Sequence, residues 1–268
     1  MSIQDRREEY MAEVHPTAVI SSGAELASGV TIGPYSIIGE HVTIGSDTVI
    51  DSHVVIEGRT RIGERNKISP FACIGTPPQD IGYKGEDTRV IIGDDNVVRE
   101  YVTIHRATIK ENLETVVGNN NFIMAYAHIA HDCVLGDHII MANAVALGGH
   151  THVGDHANFG GLAAAHQFVR IGAHAFIGGL TGVSKDIPPF MIAVGSRARL
   201  YGINQIGLSR NGLDKESIAG LKKAYRIIWK ENRRFSEGIK QVRDEIEPFP
   251  ELEDLLGFLE DSKRGISR

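Results

Sequence analysis

Residues 14–74 read VHPTAVISSGAELASGVTIGPYSIIGEHVTIGSDTVIDSHVVIEGRTRIGERNKISPFACI, and every sixth position is aliphatic: Val14, Ile20, Leu26, Ile32, Ile38, Ile44, Ile50, Ile56, Ile62, Ile68 and Ile74. If about three residues in ten are aliphatic, such a run arises in one frame by chance less than roughly once in a hundred thousand. Two places before most of the large aliphatics stands a small or branched residue, as at Ala18, Ala24, Val30, Ser36, Val42, Thr48, Val54, Thr60 and Ala72. Inward positions spaced by two are what a short strand requires. A strand this short cannot bury itself, so three fold into a triangular coil and stacked coils share one core. The period therefore predicts a mainly β protein, a parallel β-helix with 18 residues per coil. Heptads and helical periodicity cannot hold this phase, and the handedness does not follow from it.

The same phase returns at Ile92, Val98 and Ile104, and runs again from Val117 to Val183. Two inserted loops, near 75–90 and 110–116, interrupt it. After Pro188-Pro189 the spacing becomes helical, with stripes at Ile218, Leu221, Tyr225 and Ile228, at Phe235, Ile239, Val242 and Ile246, and at Leu252, Leu255, Leu256 and Leu259. The expected organisation is an N-terminal extension over 1–13, the β-helix over 14–190 and a C-terminal helical domain over 191–268. The last would cap the open end of the solenoid.

Composition narrows the function. A net charge of -6 over 268 residues argues against nucleic acid as a partner. Cys73 and Cys133 lack the spacing of a thiolate zinc site or a disulfide framework, and the charged first 16 residues resemble neither a signal peptide nor a membrane span. A cytoplasmic protein is expected. Cys133 falls on the small inward series and reads as a packed core thiol.

Any one of the 12 histidines is weak evidence on a solenoid surface, but the lattice gathers several. The 18-residue coil stacks His131, Gly149 and Gln167 in one column and Asp132 and His150 in the next, with His128 and His166 nearby. A neutral histidine can take a proton from an acceptor hydroxyl, a carboxylate can fix its tautomer, and a glycine amide can donate to a developing oxyanion. Direct acyl transfer without an acyl-enzyme is the simplest chemistry for this set. A metal-bearing hexapeptide β-helix like the γ-class carbonic anhydrases is the rival reading; a purely structural β-helix and an acetyl-coenzyme A enzyme are further ones.

Ala127-His128-Ile129-Ala130-His131-Asp132-Cys133 resembles the signature of the UDP-N-acetylglucosamine acyltransferases of lipid A synthesis, members of the left-handed hexapeptide-repeat family. The resemblance continues through Thr103-Ile104-His105-Arg106, Gly148-Gly149-His150, Ala165-His166-Gln167-Phe168, Ile177-Gly178-Gly179 and Asp186-Ile187-Pro188-Pro189, and covers the chain from residue 14. It implies a homotrimer that moves a 3-hydroxyacyl chain from acyl carrier protein to the 3-hydroxyl of UDP-N-acetylglucosamine. The donor would be acyl-phosphopantetheine, with no permanently bound cofactor and no metal.

By this resemblance His131 is the general base, Asp132 its partner and Gly149 the oxyanion donor. His128, His150, His166 and Gln167 line the cleft between subunits, Gln79 and Asp80 of the first inserted loop contact the sugar, and Asn204 and Arg210 contact the nucleotide. Gly179 matches the position that limits acyl length. Three residues depart from the pattern: Gly82 where lysine is common, Arg197 where histidine is frequent, and Asn211 where a second arginine is frequent. Some relatives accept a 3-amino sugar and form an amide. The basic residues from Arg210 to Arg234, Lys222, Lys223 and Arg226 among them, suggest a docking face for an acidic carrier protein.

Overall fold

A computed structural model describes residues 11–231 and 234–268; the first ten residues of the N-terminal extension, and Arg233 of the basic stretch, lie outside them. Among these residues the chain winds a left-handed prism whose three walls are sheets of 11, 9 and 8 strands, here A, B and C, parallel throughout except at the last pairing of A. Register is the predicted coil: Val14 pairs with Ile32, Ile20 with Ile38, and Leu26 with Ile44. The hexad aliphatics from Ile32 to Ile74 are all buried, as are Ser36, Thr48 and Thr60 of the smaller series. Pairing with the coils above and below satisfies backbone groups that strands of two residues could not satisfy alone.

Two-residue corners join the walls, and their second residue repeatedly has a positive φ although it is not glycine. Tyr126, Asp132 and His138, one from each corner of a single coil, have φ of 63°, 60° and 57°. This left-handed conformation costs roughly 1 kcal/mol or more per residue, and stacking between coils offsets it. The A–B corner carries Tyr35, His53, Phe71, Tyr101 and Tyr126 as a continuous ring stack, with centroids 4.8–5.1 Å apart. At the C–A corner His138, His156 and His174 stack at 4.7 and 4.6 Å. Inside the prism Asn66, Asn96 and Asn121 form a buried ladder, each side-chain oxygen accepting a backbone N–H of the next coil at 2.7–2.9 Å.

The β-layer extends beyond the boundary expected at residue 190. Met191–Val194 joins sheet A parallel to Phe176–Ile177, and Arg199–Ile203 turns back antiparallel against it. This hairpin closes the edge of sheet A ahead of the helices. Helices follow at Gln205–Arg210, Lys215–Tyr225, Phe235–Glu245 and Pro250–Glu260, with a π-helical turn at Arg226–Lys230. The three expected stripes supply the buried Ile218, Leu221, Ile228, Val242, Leu252, Leu255 and Leu256. The tail returns to the last coil, where Ile266 bridges Asp186 and the Arg170 guanidinium lies 4.4 Å from the Phe258 ring centroid. No helix of the described residues is long and apolar enough to cross a membrane.

Candidate active site

At the B–C corner, Ile129 ends one wall and Val134 begins the next, and His131 and Asp132 form the turn between them. The His131 Nδ1 lies 2.7 Å from Asp132 Oδ2. An ionised carboxylate only accepts, so Nδ1 carries the proton, and in the neutral ring Nε2 holds the lone pair. Asp132 is held from every side. Its oxygens accept from Thr108 N at 3.1–3.2 Å and from Thr108 Oγ1 at 2.8 Å, and its own N–H donates to Thr115 Oγ1 at 2.8 Å. Burial would raise the pKa of this carboxyl, but the His131 and Thr108 hydrogen bonds outweigh it and hold the pKa below the usual range.

One coil along, Gly149 sits under the His131 ring: a β-carbon there would fall 2.5 Å from Cε1 and 2.8 Å from Nε2. The bare backbone is thus the seat of the imidazole. Among the described residues no acceptor is found for the Gly149 N–H. His150, buried beside it, places Nε2 3.7 Å from Asp132 Oδ2 and packs its ring edge-on to His131 at 5.2 Å. Phe168 stacks under His150 at 4.2 Å. Glu111 Oε2 comes within 3.1 Å of His150 Nδ1, out of line for a hydrogen bond, so that buried nitrogen has no hydrogen-bond partner.

His128 and His105 complete the imidazole cluster. The His128 Nδ1 lies 2.7 Å from Thr103 Oγ1, and burial, then the neighbouring His131, lowers its pKa. Burial, followed by the charges of His128 and His131, pushes His105 down to about 4. Both rings are therefore neutral near pH 7. Cys133 is fully buried, donates to Gly148 O at 3.3 Å, and burial pushes its thiol up to about 12. It is packed core, as its inward position predicts.

His131, Asp132 and His150 each offer one metal-ligating atom within 4.8 Å of the others. The dyad nonetheless has hydrogen-bond geometry. Two ligands about 2.0–2.1 Å from one tetrahedral zinc stand roughly 3.3 Å apart, whereas Nδ1 and Oδ2 are 2.7 Å apart. The arrangement fits a proton-transfer base better than a metal cage.

The first inserted loop lies between Cys73–Thr76 and Arg89–Ile92, and the second between Thr103–His105 and Glu114–Val117. They meet at the site. Asp80 pairs with Lys110 and accepts from Gly82 N at 2.7 Å; these contacts, in that order and with a smaller contribution from the charge of His131, lower its pKa. Gln79 beside it is exposed. Arg106 ties the loops together by donating to Tyr83 Oη and Gly75 O, each at 2.9 Å. His166 lies beside the exposed Gln167 and is 2.8 Å from Arg264 Nη2 of the tail.

Asn204, Arg210 and Gly179 are placed elsewhere. Asn204 Nδ2 donates to His174 O at 2.9 Å and its Oδ1 caps the following helix, so it belongs to the C–A corner. Arg210 and Asn211 line a pocket there with His156, Asn158 and Phe176. Gly179 is at the A–B corner, and Arg197 is in the exposed turn after Met191–Val194. Within one chain these groups do not share a cleft with His131.

Sequence reading missed Thr108, Lys110, Glu111 and Thr115. Its one available signal was the position of the second insertion, one coil before the dyad.

Residues 186–267 match the family model described as UDP N-acetylglucosamine O-acyltransferase, domain 2, and residues 41–76 and 114–149 match bacterial transferase hexapeptide repeats. The chain is 54% identical to the acyl-carrier-protein-dependent UDP-N-acetylglucosamine O-acyltransferase of Thermodesulfovibrio yellowstonii, over 96% of this chain and 100% of that one. A relative of the same name from Syntrophobacter fumaroxidans is 51% identical, with the same coverage. Among solved structures, LpxA from Acinetobacter baumannii superposes with a TM-score of 0.93 at 46% identity, covering 95% of this chain and 99% of that chain. LpxA of Bacteroides fragilis gives 0.93 at 39%, with the same coverage. With these relatives matched end to end, the chain belongs to the UDP-N-acetylglucosamine O-acyltransferase family and is an acyltransferase.

Proposed function

We propose that the protein transfers a 3-hydroxyacyl chain from acyl carrier protein to the 3-hydroxyl of UDP-N-acetylglucosamine, the first step of lipid A synthesis, in the cytoplasm and with no resident cofactor. The observation that carries the mechanism is the His131–Asp132 dyad seated on Gly149. His131 Nε2 takes the proton of the sugar hydroxyl as its oxygen bonds to the thioester carbon. The Gly149 N–H donates to the developing oxyanion. When the carbon–sulfur bond breaks, the departing pantetheine thiolate takes that proton back from His131. No acyl-enzyme is needed, and the buried, protonated Cys133 is a poor candidate to form one.

Two observations support a homotrimer. The A–B corner leaves Tyr35, Phe71, Tyr101, Tyr126, Leu162 and Leu180 exposed in one column, an apolar stripe that copies of the chain would cover. The nucleotide-side residues Asn204 and Arg210 also need a second copy to reach a His131. His128, His150, His166 and Gln167 would then face the partner across the cleft. For carrier docking the basic face is narrower than its sequence suggests, because Lys223 pairs with Glu245 and Arg226 with Glu231, which turns attention to the exposed Lys222.

The decisive experiment offers 3-hydroxyacyl carrier protein and acetyl-coenzyme A as donors against UDP-N-acetylglucosamine and its 3-amino analogue, with products identified by mass. Ester formation from the carrier-bound donor is expected; turnover confined to acetyl-coenzyme A overturns the reading. Acyl length tests Gly179. A β-carbon there would meet nothing closer than Gly161 O at 3.3 Å, so a side chain fits with a small adjustment. Gly179→Met should move the preferred donor to a shorter chain in a competition assay, and an unchanged preference would refute the assignment.

A further inference from the structure

The second inserted loop reaches into the site with side chains that the family resemblance does not assign. We propose that Lys110 is the residue that positions the sugar acceptor, acting through Asp80. This rests on the reading of Asp80 as a sugar contact.

Asp80 sits on a loop of twelve residues between two strands, where a carboxylate would otherwise turn freely. Here neither oxygen is free to turn: Oδ1 accepts from Gly82 N at 2.7 Å and Oδ2 pairs with Lys110 Nζ. The Asp80 side chain is only 13% exposed although the Lys110 chain is 56% exposed. Each carboxylate oxygen accepts more than one hydrogen bond, so both keep a lone pair for a sugar hydroxyl, now with a fixed direction. The pairing also offsets a negative charge close enough to act on His131. At Gly82 only the backbone supports Asp80; the cation comes from the neighbouring loop.

Lys110 is separable from the loop's architecture. Arg106 fastens the two loops through Tyr83 and Gly75 without it. Removing the lysine should therefore leave the loop in place and release only the carboxylate.

In the full-length enzyme, Lys110→Ala should raise KM for UDP-N-acetylglucosamine roughly twofold to fivefold, the range expected of a partly exposed ion pair. The KM for 3-hydroxyacyl carrier protein and the thermal midpoint should not move. Lys110→Arg should restore the acceptor KM, and Lys110→Gln should not. An unchanged acceptor KM in Lys110→Ala overturns the proposal. So does an equal rise in both Michaelis constants with a lowered midpoint, which marks a structural role. A wild-type enzyme that cannot acylate this acceptor sinks the reading of the site and this proposal with it, whereas wild-type turnover with an unaffected variant sinks the proposal alone.

Discussion

Replacing His131 with alanine is expected to lower turnover by roughly 10²–10⁴-fold, the range that general-base catalysis contributes. The imidazole has a fixed tautomer because Asp132 accepts from Nδ1, and Asp132 has a fixed orientation because Thr108 holds both its oxygens. No second group in the corner can substitute. His150 is edge-on at 5.2 Å, and His128 is committed to Thr103. The fold should survive, since the ring rests on a glycine backbone rather than filling the core. Asp132→Asn belongs to the same test: an amide can donate to Nδ1 and so favour the wrong tautomer, which removes the lone pair from Nε2 while keeping the shape. Turnover and thermal midpoint measured together decide the matter. Near wild-type turnover in His131→Ala would show that the base lies elsewhere.

The second large effect is predicted for Gly149→Ala, about 10²-fold in turnover with little loss of stability. The argument is steric. A methyl at this position would overlap the His131 ring at 2.5–3.0 Å, against three ring atoms at once. The backbone of Gly149 does not have a positive φ, so alanine brings no conformational strain of its own. The ring must swing away, and the 2.7 Å bond to Asp132 must lengthen with it. A misplacement of about 1 Å at a reacting group can cost 10²-fold. Alanine keeps the backbone N–H, so an activity loss reports on the seat of the base and not on the oxyanion donor. The double variant with His131→Ala should be no worse than His131→Ala alone, because both act on one imidazole. Full additivity, or a wild-type rate in Gly149→Ala, would remove the steric account.

Much of this could be read from residues 14–74. Because side chains alternate at a period of two and each coil takes three hexads, the sequence determined which residues point inward, from Ile32 to Ile74, and which stack at one corner. It placed His131 against Gly149 and Asp132 next to His150, since a repeat with constant rise converts sequence separation into distance. It did not reveal that Gly149 is needed as a seat for the ring, because steric contact depends on the rotamer of His131. The boundary after residue 190 also escaped it. Met191–Val194 lacks the hexad phase but finds its partner in Phe176–Ile177, and a strand at the end of a sheet is selected by its neighbour more than by its own pattern.

The insertions show the limit most clearly. Where the period breaks, distance along the chain no longer encodes distance in space, so nothing in the sequence linked Thr108 to Asp132 or Lys110 to Asp80. Only the tertiary structure brought those loops together, through Arg106 on Tyr83 and Gly75. It likewise separated Asn204 and Arg210 from His131, setting them at another corner of the same prism. The sequence alone determined the coil, its core and the column that stacks His131 on Gly149, because all three follow from local periodicity. The orientation of the His131 ring and the loops around it depend on contacts between segments that share no period, and these were decided by the folded chain.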